Sequence, residues 1–348
     1  MISCDVLERV HKGTVLREDA LHLFRASSSE LFSLANDLRE GVNGNIATYV
    51  VNRNINFTNS CVGDCKFCAF KSEDGYVLGK DEILEKVGEA YDLGATEVCI
   101  QGGLLPDAKV QYYCGMLEEI KSSYDIHIHA FSPMEVFHAS RNSDMGVDEV
   151  LKELKRSGLD SMPGTAAEIL VDRVRGIICP SKLSSDQWIS VVKTAHKLGI
   201  PTTATMMYGH VETEDERIEH LLKLRDIQRE TGGFTEFVPL PFLSRNTYLE
   251  GNRLSCLDNL RILALARIIF HKNIKNIQVS WVKMGKTLAK FALLCGANDL
   301  GGTLMEENIS RSAGSMYGEY IKPEEFDSMI SSIGRTPMKR STLYDRLF

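Results

Sequence analysis

The sequence predicts an α/β protein, a (β/α)8 TIM-type barrel with a helical N-terminal extension. Three observations predict it. Strand-like and helix-like segments alternate along the chain, which requires parallel strands joined by crossovers. Eight strand candidates begin near residues 49, 96, 126, 159, 202, 234, 277 and 299. Eight units over about 260 residues fit a closed barrel better than a doubly wound open sheet. No linker or low-complexity run divides the 348 residues. The expected organisation is a helical extension at 1–45, a barrel core at 46–321, and a helix and tail at 322–348 packed on the barrel.

The elements follow from spacing. In 1–45, "LREDALHLFRA" and "SSSELFSLANDLREGV" carry apolar residues at helical intervals, with Ser28 or Ser29 as N-cap and Gly41 with Gly44 as the stop. "ATYVVNRNINF" (47–57) reads as a strand. "KDEILEKVGEAYDLG" (80–94) reads as a helix ending on glycine, then "TEVCIQGG" (96–103) as a strand and a Gly-Gly turn. A helix at 108–124 precedes the strand "IHIHAFSP" (126–133), and a helix at 146–158 precedes "LDSMPG" (159–164). Helices at 184–199, 214–232, 256–270 and 286–297 alternate with strands from 200, 234, 277 and 298. The charge of the closing "GRTPMKRSTLYDRLF" reads as a solvated surface.

Composition sets the class. The chain is 43% hydrophobic and 25% charged, which indicates neither disorder nor a fibrous protein. Its net charge is −7 and its basic residues form no single run, which argues against a nucleic-acid partner. No apolar run approaches the ~18–20 residues of a membrane span. "MISCDVLERVHKG" carries acids and no apolar core, unlike a signal peptide, so a cytoplasmic location is expected. Of nine cysteines, six stand apart and read as small core residues.

The site is expected at the C-terminal ends of the strands. Gln101, Gly102 and Gly103 follow the second strand; Ser132 and Glu135 follow the third; Tyr208, His210 and Glu212 follow the fifth. Met206, Met207, Phe131 and Phe237 offer apolar walls, though strand alternation sends half of such residues outward. His210 is the leading polar candidate, set between Gly209 and an acid two residues on. Cys61, Cys65 and Cys68 follow the first strand in the spacing C-x3-C-x2-C. Thiolates this close suit a soft metal or an iron–sulfur cluster. Zinc would need a fourth ligand, such as His127 or His129. Three cysteines would leave one iron of a four-iron cluster without a protein ligand.

"CVGDCKFC", with Phe67 before the third cysteine, resembles the signature of the radical S-adenosylmethionine (SAM) superfamily. The resemblance implies one 4Fe–4S cluster on Cys61, Cys65 and Cys68, with exchangeable SAM on the open iron. It implies cofactor contacts at Phe67, Gln101, Gly102, Gly103, Ser132 and Glu212. Glu168 and Lys182 sit where related enzymes place groups for SAM's ribose or carboxylate. His210, Tyr208 and Glu135 are the implied catalytic residues.

"GLDSMPGTAAEIL" (158–170), "TTATMMYGHVE" (202–212) and "TGGFTEFVPLPF" (231–242) narrow the likeness. They resemble the tyrosine-using FO synthase subunits (CofH family). The implied reaction cleaves L-tyrosine and adds its 4-hydroxybenzyl radical to 5-amino-6-(D-ribitylamino)uracil on the way to the deazaflavin FO. The implied partners are a second radical SAM subunit (CofG family) and a reductant such as ferredoxin or flavodoxin. Aminofutalosine synthase and the futalosine cyclase of menaquinone biosynthesis are the alternative, sharing the fold and the strand-five pattern. A zinc-stabilised binding module is the alternative from another class.

Overall fold

The computed structural model describes residues 2–251 and 254–347. Three helices open the chain: α1 (Cys4–Lys12), α2 (Arg17–Arg25) and α3 (Ser28–Asn43). The cap of α3 is Ser27, one residue before the expected position, its hydroxyl accepting from the Glu30 amide. Gly44 ends the helix as expected. Arg261 ties this extension to the body of the protein, donating to the Ser28 hydroxyl at 2.8 Å and the Ala26 carbonyl at 2.9 Å.

The alternation then runs as expected. β1 (Ile46–Val50) and β2 (Asn52–Ile55) form one interrupted strand, followed by α4 (Lys80–Asp92), β3 (Glu97–Ile100), α5 (Val110–Ser123) and β4 (His127–Ala130). Next come α6 (Pro133–Ser143), α7 (Val147–Arg156), α8 (Asp172–Ile178), α9 (Ser185–Lys197) and β5 (Thr202–Tyr208). α10 (Glu214–Thr231), β6 (Phe234–Pro241), α11 (Cys256–Ile269), α12 (Trp281–Met284), α13 (Lys286–Leu294) and β7 (Asp299–Gly302) continue the series. α14 (Asn308–Ser312), α15 (Pro323–Ser331) and β8 (Thr336–Lys339) end it.

The fold is α/β with partial parallel sheets. β2, β3 and β4 pair in that order, β5 pairs with β6, and β1 lies between β7 and β8. Every one of these pairings is parallel. Isolated parallel bridges lie between the sheets: His129 with Ser161, Met162 with Thr202, Phe237 with Ile277, and Gln278 with Asp299.

Two expected strands, from 159 and from 277, reduce to these bridges. In the first, Pro163 has no N–H for a ladder, and the Gly164 amide turns to the Thr203 hydroxyl at 2.8 Å. In the second, the Asn298 side chain takes the Ile277 amide at 2.9 Å, and the chain enters α12 four residues later. α6 and α8 are additional helices. Pro133, read as a strand terminator, is the first residue of α6, where its missing N–H costs nothing.

The basic tail is not a uniformly solvated surface. β8 pairs with β1, and Arg340 just beyond it is 2% exposed. Alternate residues of β5 and β6 face inward. Thr203, Thr205 and Met207, with Glu236, Val238 and Leu240, line an internal cavity. Met206, Phe131 and Phe237 are buried in the apolar packing instead.

Candidate active site

The cavity measures about 680 Å³ and opens at the C-terminal ends of the strands, beside the cysteine loop. Three turns shape that end. The Gly103 amide donates to the Thr58 carbonyl at 2.9 Å, fixing the turn after β3 against the loop after β2. A Cβ on Gly103 would overlap the Ser60 carbonyl, and one on Gly102 would meet the Phe57 ring at 2.7 Å. Only glycine lets these backbones pass. Gln101 accepts from the Thr165 hydroxyl at 3.0 Å, which joins the second turn to the loop before α8.

Glu135 locks the third turn. It caps its own helix, accepting from the Ser132 amide at 2.6 Å while the Ser132 hydroxyl accepts from the Glu135 amide at 3.3 Å. Its other oxygen accepts from the Gly102 amide at 3.2 Å. Burial pushes the Glu135 carboxyl up to about 7, only partly offset by these hydrogen bonds. Glu135 stands in the cavity lining.

Glu168 and Lys182 form an ion pair at 2.9 Å, with side chains 11% and 17% exposed. The Lys182 ammonium stands 5.1 Å over the Phe67 ring, placing this pair against the cysteine loop. Glu168 is held at φ 46°, an uncommon conformation for a residue with a side chain. Burial opposes the charge on Lys182, but Cys65 and Glu168 beside it hold its pKa above the usual lysine value. Burial likewise opposes ionisation of Glu168, and Lys182 outweighs it, so the carboxyl lies below its ordinary value.

The strand-five residues gather elsewhere. Tyr208, His210 and Glu212 are buried outside the cavity lining. The Tyr208 hydroxyl donates to the Asn259 side chain at 2.7 Å. His210 Nε2 pairs with the Met207 carbonyl at 3.0 Å, and its Nδ1 accepts from the Val211 amide at 2.8 Å. Glu212 accepts from the Gly209 and His210 amides at 2.6 and 2.9 Å and pairs with Arg217 at 2.6 Å. The structure thus brings Phe67, Gln101, Gly102, Gly103, Ser132, Glu135, Glu168 and Lys182 to one cavity. The other three hold the end of β5 from behind.

Cys61, Cys65 and Cys68 line the same cavity, all as free thiols. The expected 4Fe–4S cluster on these three, with exchangeable SAM, is corrected here. Among the described residues no group of three or more His, Cys, Asp or Glu side chains is gathered to hold a metal ion. The Cys61 sulfur accepts instead from the Gly63 and Leu104 amides at 3.3 and 3.2 Å. Burial pushes the Cys65 thiol up to about 11. His127 and His129, the possible fourth ligands, both hydrogen-bond the Ser161 hydroxyl at 2.7 Å.

Some cavity residues escaped the sequence reading. Asn52, Asn54 and Asn56 line the cavity from the first strand, and the Asn56 side-chain oxygen is buried without a partner. The signal was present: three asparagines at alternate positions of an otherwise buried strand. Lys283, Glu307 and Arg340 line it from elements that carry no motif.

The family matches make this a radical SAM protein. Residues 55–224 match the Radical SAM superfamily, and residues 231–347 match the CofH/MqnC C-terminal region. The solved structure of methylornithine synthase (PylB) superposes with a TM-score of 0.76 at 19% identity, covering 95% of this chain and 97% of that one. At that identity the likeness speaks for the fold alone.

Full-length relatives are far closer. The 5-amino-6-(D-ribitylamino)uracil–L-tyrosine 4-hydroxyphenyl transferase 1 of Methanosarcina acetivorans is 58% identical over 99% of this chain and 94% of its own. That of Methanosarcina barkeri is 59% identical over 98% of this chain and 93% of its own. The chain belongs to the 5-amino-6-(D-ribitylamino)uracil–L-tyrosine 4-hydroxyphenyl transferase family.

Proposed function

We propose that this chain transfers the 4-hydroxybenzyl unit of L-tyrosine to ring carbon 5 of 5-amino-6-(D-ribitylamino)uracil. The Cα–Cβ bond of tyrosine breaks, the α-carbon fragment leaves as the imine of glycine, and a carbon–carbon bond to the uracil forms; SAM is the oxidant, ending as methionine and 5′-deoxyadenosine. The product is 5-amino-5-(4-hydroxybenzyl)-6-(D-ribitylimino)-5,6-dihydrouracil, an intermediate of coenzyme FO biosynthesis. The observation that carries this is 58% identity to a transferase of that name along 99% of the chain. The C-terminal match is shared with a menaquinone enzyme and does not separate the two readings; the full-length relatives favour the transferase.

The cavity suits the substrates. About 680 Å³ accommodates two small molecules, and its polar groups alternate with apolar walls. In our reading Glu135 acts on protons at the cavity wall. Gln101, Gly102, Gly103, Ser132, Phe67, Glu168 and Lys182 contact the bound molecules. His210, Tyr208 and Glu212 act through the end of β5. Burial of the cavity shields a reactive radical from water.

The bridges between the partial sheets support a closed (β/α)8 barrel over 46–321, with 1–45 as a helical extension and 322–348 as a helix and tail packed on it. Among the described residues no helix is long and apolar enough to cross a membrane. A cytoplasmic location, a CofG-type partner subunit and a ferredoxin or flavodoxin reductant complete the proposal.

The test is anaerobic incubation of the protein with SAM, dithionite, L-tyrosine and the ribityl-uracil, followed by mass spectrometry. The expected result is tyrosine-dependent appearance of the 4-hydroxybenzyl adduct. Formation of 5′-deoxyadenosine with no tyrosine consumed would overturn the substrate assignment.

A further inference from the structure

Lys283 lies on α12 and faces the cavity. Among the described residues no carboxylate forms an ion pair with its ammonium, and no acceptor hydrogen-bonds it. The other cations of the cavity are engaged. Lys182 is paired with Glu168 at 2.9 Å, Arg340 with Asp299 at 2.6 Å, and Lys71 donates to the Gly63 carbonyl at 2.8 Å. Arg141 stands 5.8 Å over the Phe137 ring.

Lys283 is also held in place. Its helix is pinned by the buried Trp281, whose ring N–H donates to the Gly302 carbonyl at 3.0 Å. Burial lowers the Lys283 pKa, and the nearby Glu307 and Glu168 oppose that only in part. A half-buried cation without a partner is costly unless an anion arrives to complete it.

Glu307 supplies the opposite charge. It lines the same cavity and is 8% exposed. One oxygen accepts from the Ser310 amide at 2.7 Å, the other from the Asn54 side chain at 2.8 Å. The carboxylate is thereby oriented while each oxygen keeps acceptor capacity. A fixed cation and a fixed anion, near each other but unpaired, complement an α-amino acid zwitterion.

We propose that Lys283 and Glu307 seat the head group of L-tyrosine, the carboxylate on Lys283 and the ammonium on Glu307. This rests on the tyrosine reading above. It assigns substrate orientation to two residues outside every sequence motif. With the head group held at the α12–α14 side, the tyrosine side chain extends into the cavity. The methionyl end of SAM carries the same zwitterion, so the test must separate the two.

The experiment uses wild type, Lys283→Met, Lys283→Arg and Glu307→Gln under the anaerobic assay. KM is measured for L-tyrosine, for the ribityl-uracil and for SAM. Tyramine, which lacks the carboxylate, is tested as a competitive inhibitor. Loss of a charge-assisted contact should raise the Lys283→Met KM for tyrosine about 10- to 100-fold. The other two KM values should stay within about threefold of wild type. Lys283→Arg should recover most of the loss. Wild type should prefer tyrosine over tyramine, and Lys283→Met should lose that preference. Glu307→Gln should weaken tyrosine and tyramine together, since both carry the ammonium.

An unchanged tyrosine KM in Lys283→Met, or a rise confined to SAM, overturns the proposal. If Lys283→Met does not fold, Glu307→Gln decides it, and a wild-type tyrosine KM in that variant overturns it. Wild type that consumes no tyrosine sinks the functional reading as well. Normal wild-type turnover with indifferent variants sinks this inference alone.

Discussion

Arg340 and Asp299 form an ion pair at 2.6 Å with side chains 2% and 0% exposed. The pair joins the end of the chain to the start of β7. Arg340 also reaches Glu236 at 3.3 Å, and the Tyr344 hydroxyl donates to that same carboxylate. Asp299 and Glu236 are thus two buried acids held together by one guanidinium. Removing the cation leaves both acids without their countercharge. Arg340→Met should therefore destabilise the fold by about 3–5 kcal/mol. Urea denaturation at neutral pH checks this; a variant as stable as wild type would show that the tail is dispensable.

Such a contact explains where sequence reading stopped. The alternation of strand and helix was legible because each element buries a regular face. The cysteine loop and the Gln101-Gly102-Gly103 turn were legible because their residue types are unusual for their positions. Arg340 was not. A lysine and an arginine in a short terminal run look alike whether solvated or buried, and only pairing β8 beside β1 turns Arg340 inward. Lys283 and Glu307 were hidden for the same reason: each is an ordinary charge until distant segments meet around it. The cysteines erred in the other direction. Their spacing suggested a ligand set, whereas no such set is gathered among the described residues and the Cys61 sulfur accepts from two backbone amides.

Two glycines should respond in opposite ways to alanine. At Gly103 a Cβ would overlap the Ser60 carbonyl and stand 2.9 Å from the Cys61 Cβ, so the cysteine loop must move. Displacement of a site wall by about 1 Å costs on the order of 100-fold in rate. Gly103→Ala should lose activity on that scale. Gly176, inside α8, carries no positive φ, and a Cβ added there would meet nothing within 4 Å. Gly176→Ala should keep full activity and gain roughly 0.5–1 kcal/mol. Paired assays and melts of the two variants check this.

Glu135 makes stability fall as pH rises. Burial raises its folded pKa to about 7 from an ordinary 4.5. Between those values the folded state holds a proton that the unfolded state has released, so stability declines with pH across that window. Above about pH 7 the decline is complete. Glu135→Gln carries no such charge. The stability of wild type relative to this variant should drop by about 1–3 kcal/mol between pH 5 and pH 8. Denaturant melts of both proteins at the two pH values measure it, and parallel curves would show that Glu135 titrates normally.

Glu212 should show the reverse dependence. Burial penalises its charge, but His210, Arg217 and the Gly209 amide outweigh that and hold its carboxyl down at about 2. A pKa below the ordinary 4.5 means that the ionised group stabilises the fold at any pH above 4.5. That stabilisation drains away as pH falls toward about 2. Glu212→Gln should cost about 3 kcal/mol at pH 7, and the gap from wild type should shrink steadily below about pH 4.5. Because Glu212 sits behind β5 and outside the cavity lining, tyrosine KM should change little in protein that remains folded. A gap that stays constant down to pH 3 would mean that the Arg217 pair contributes no linked stability. A large rise in tyrosine KM would instead place Glu212 within reach of the substrate.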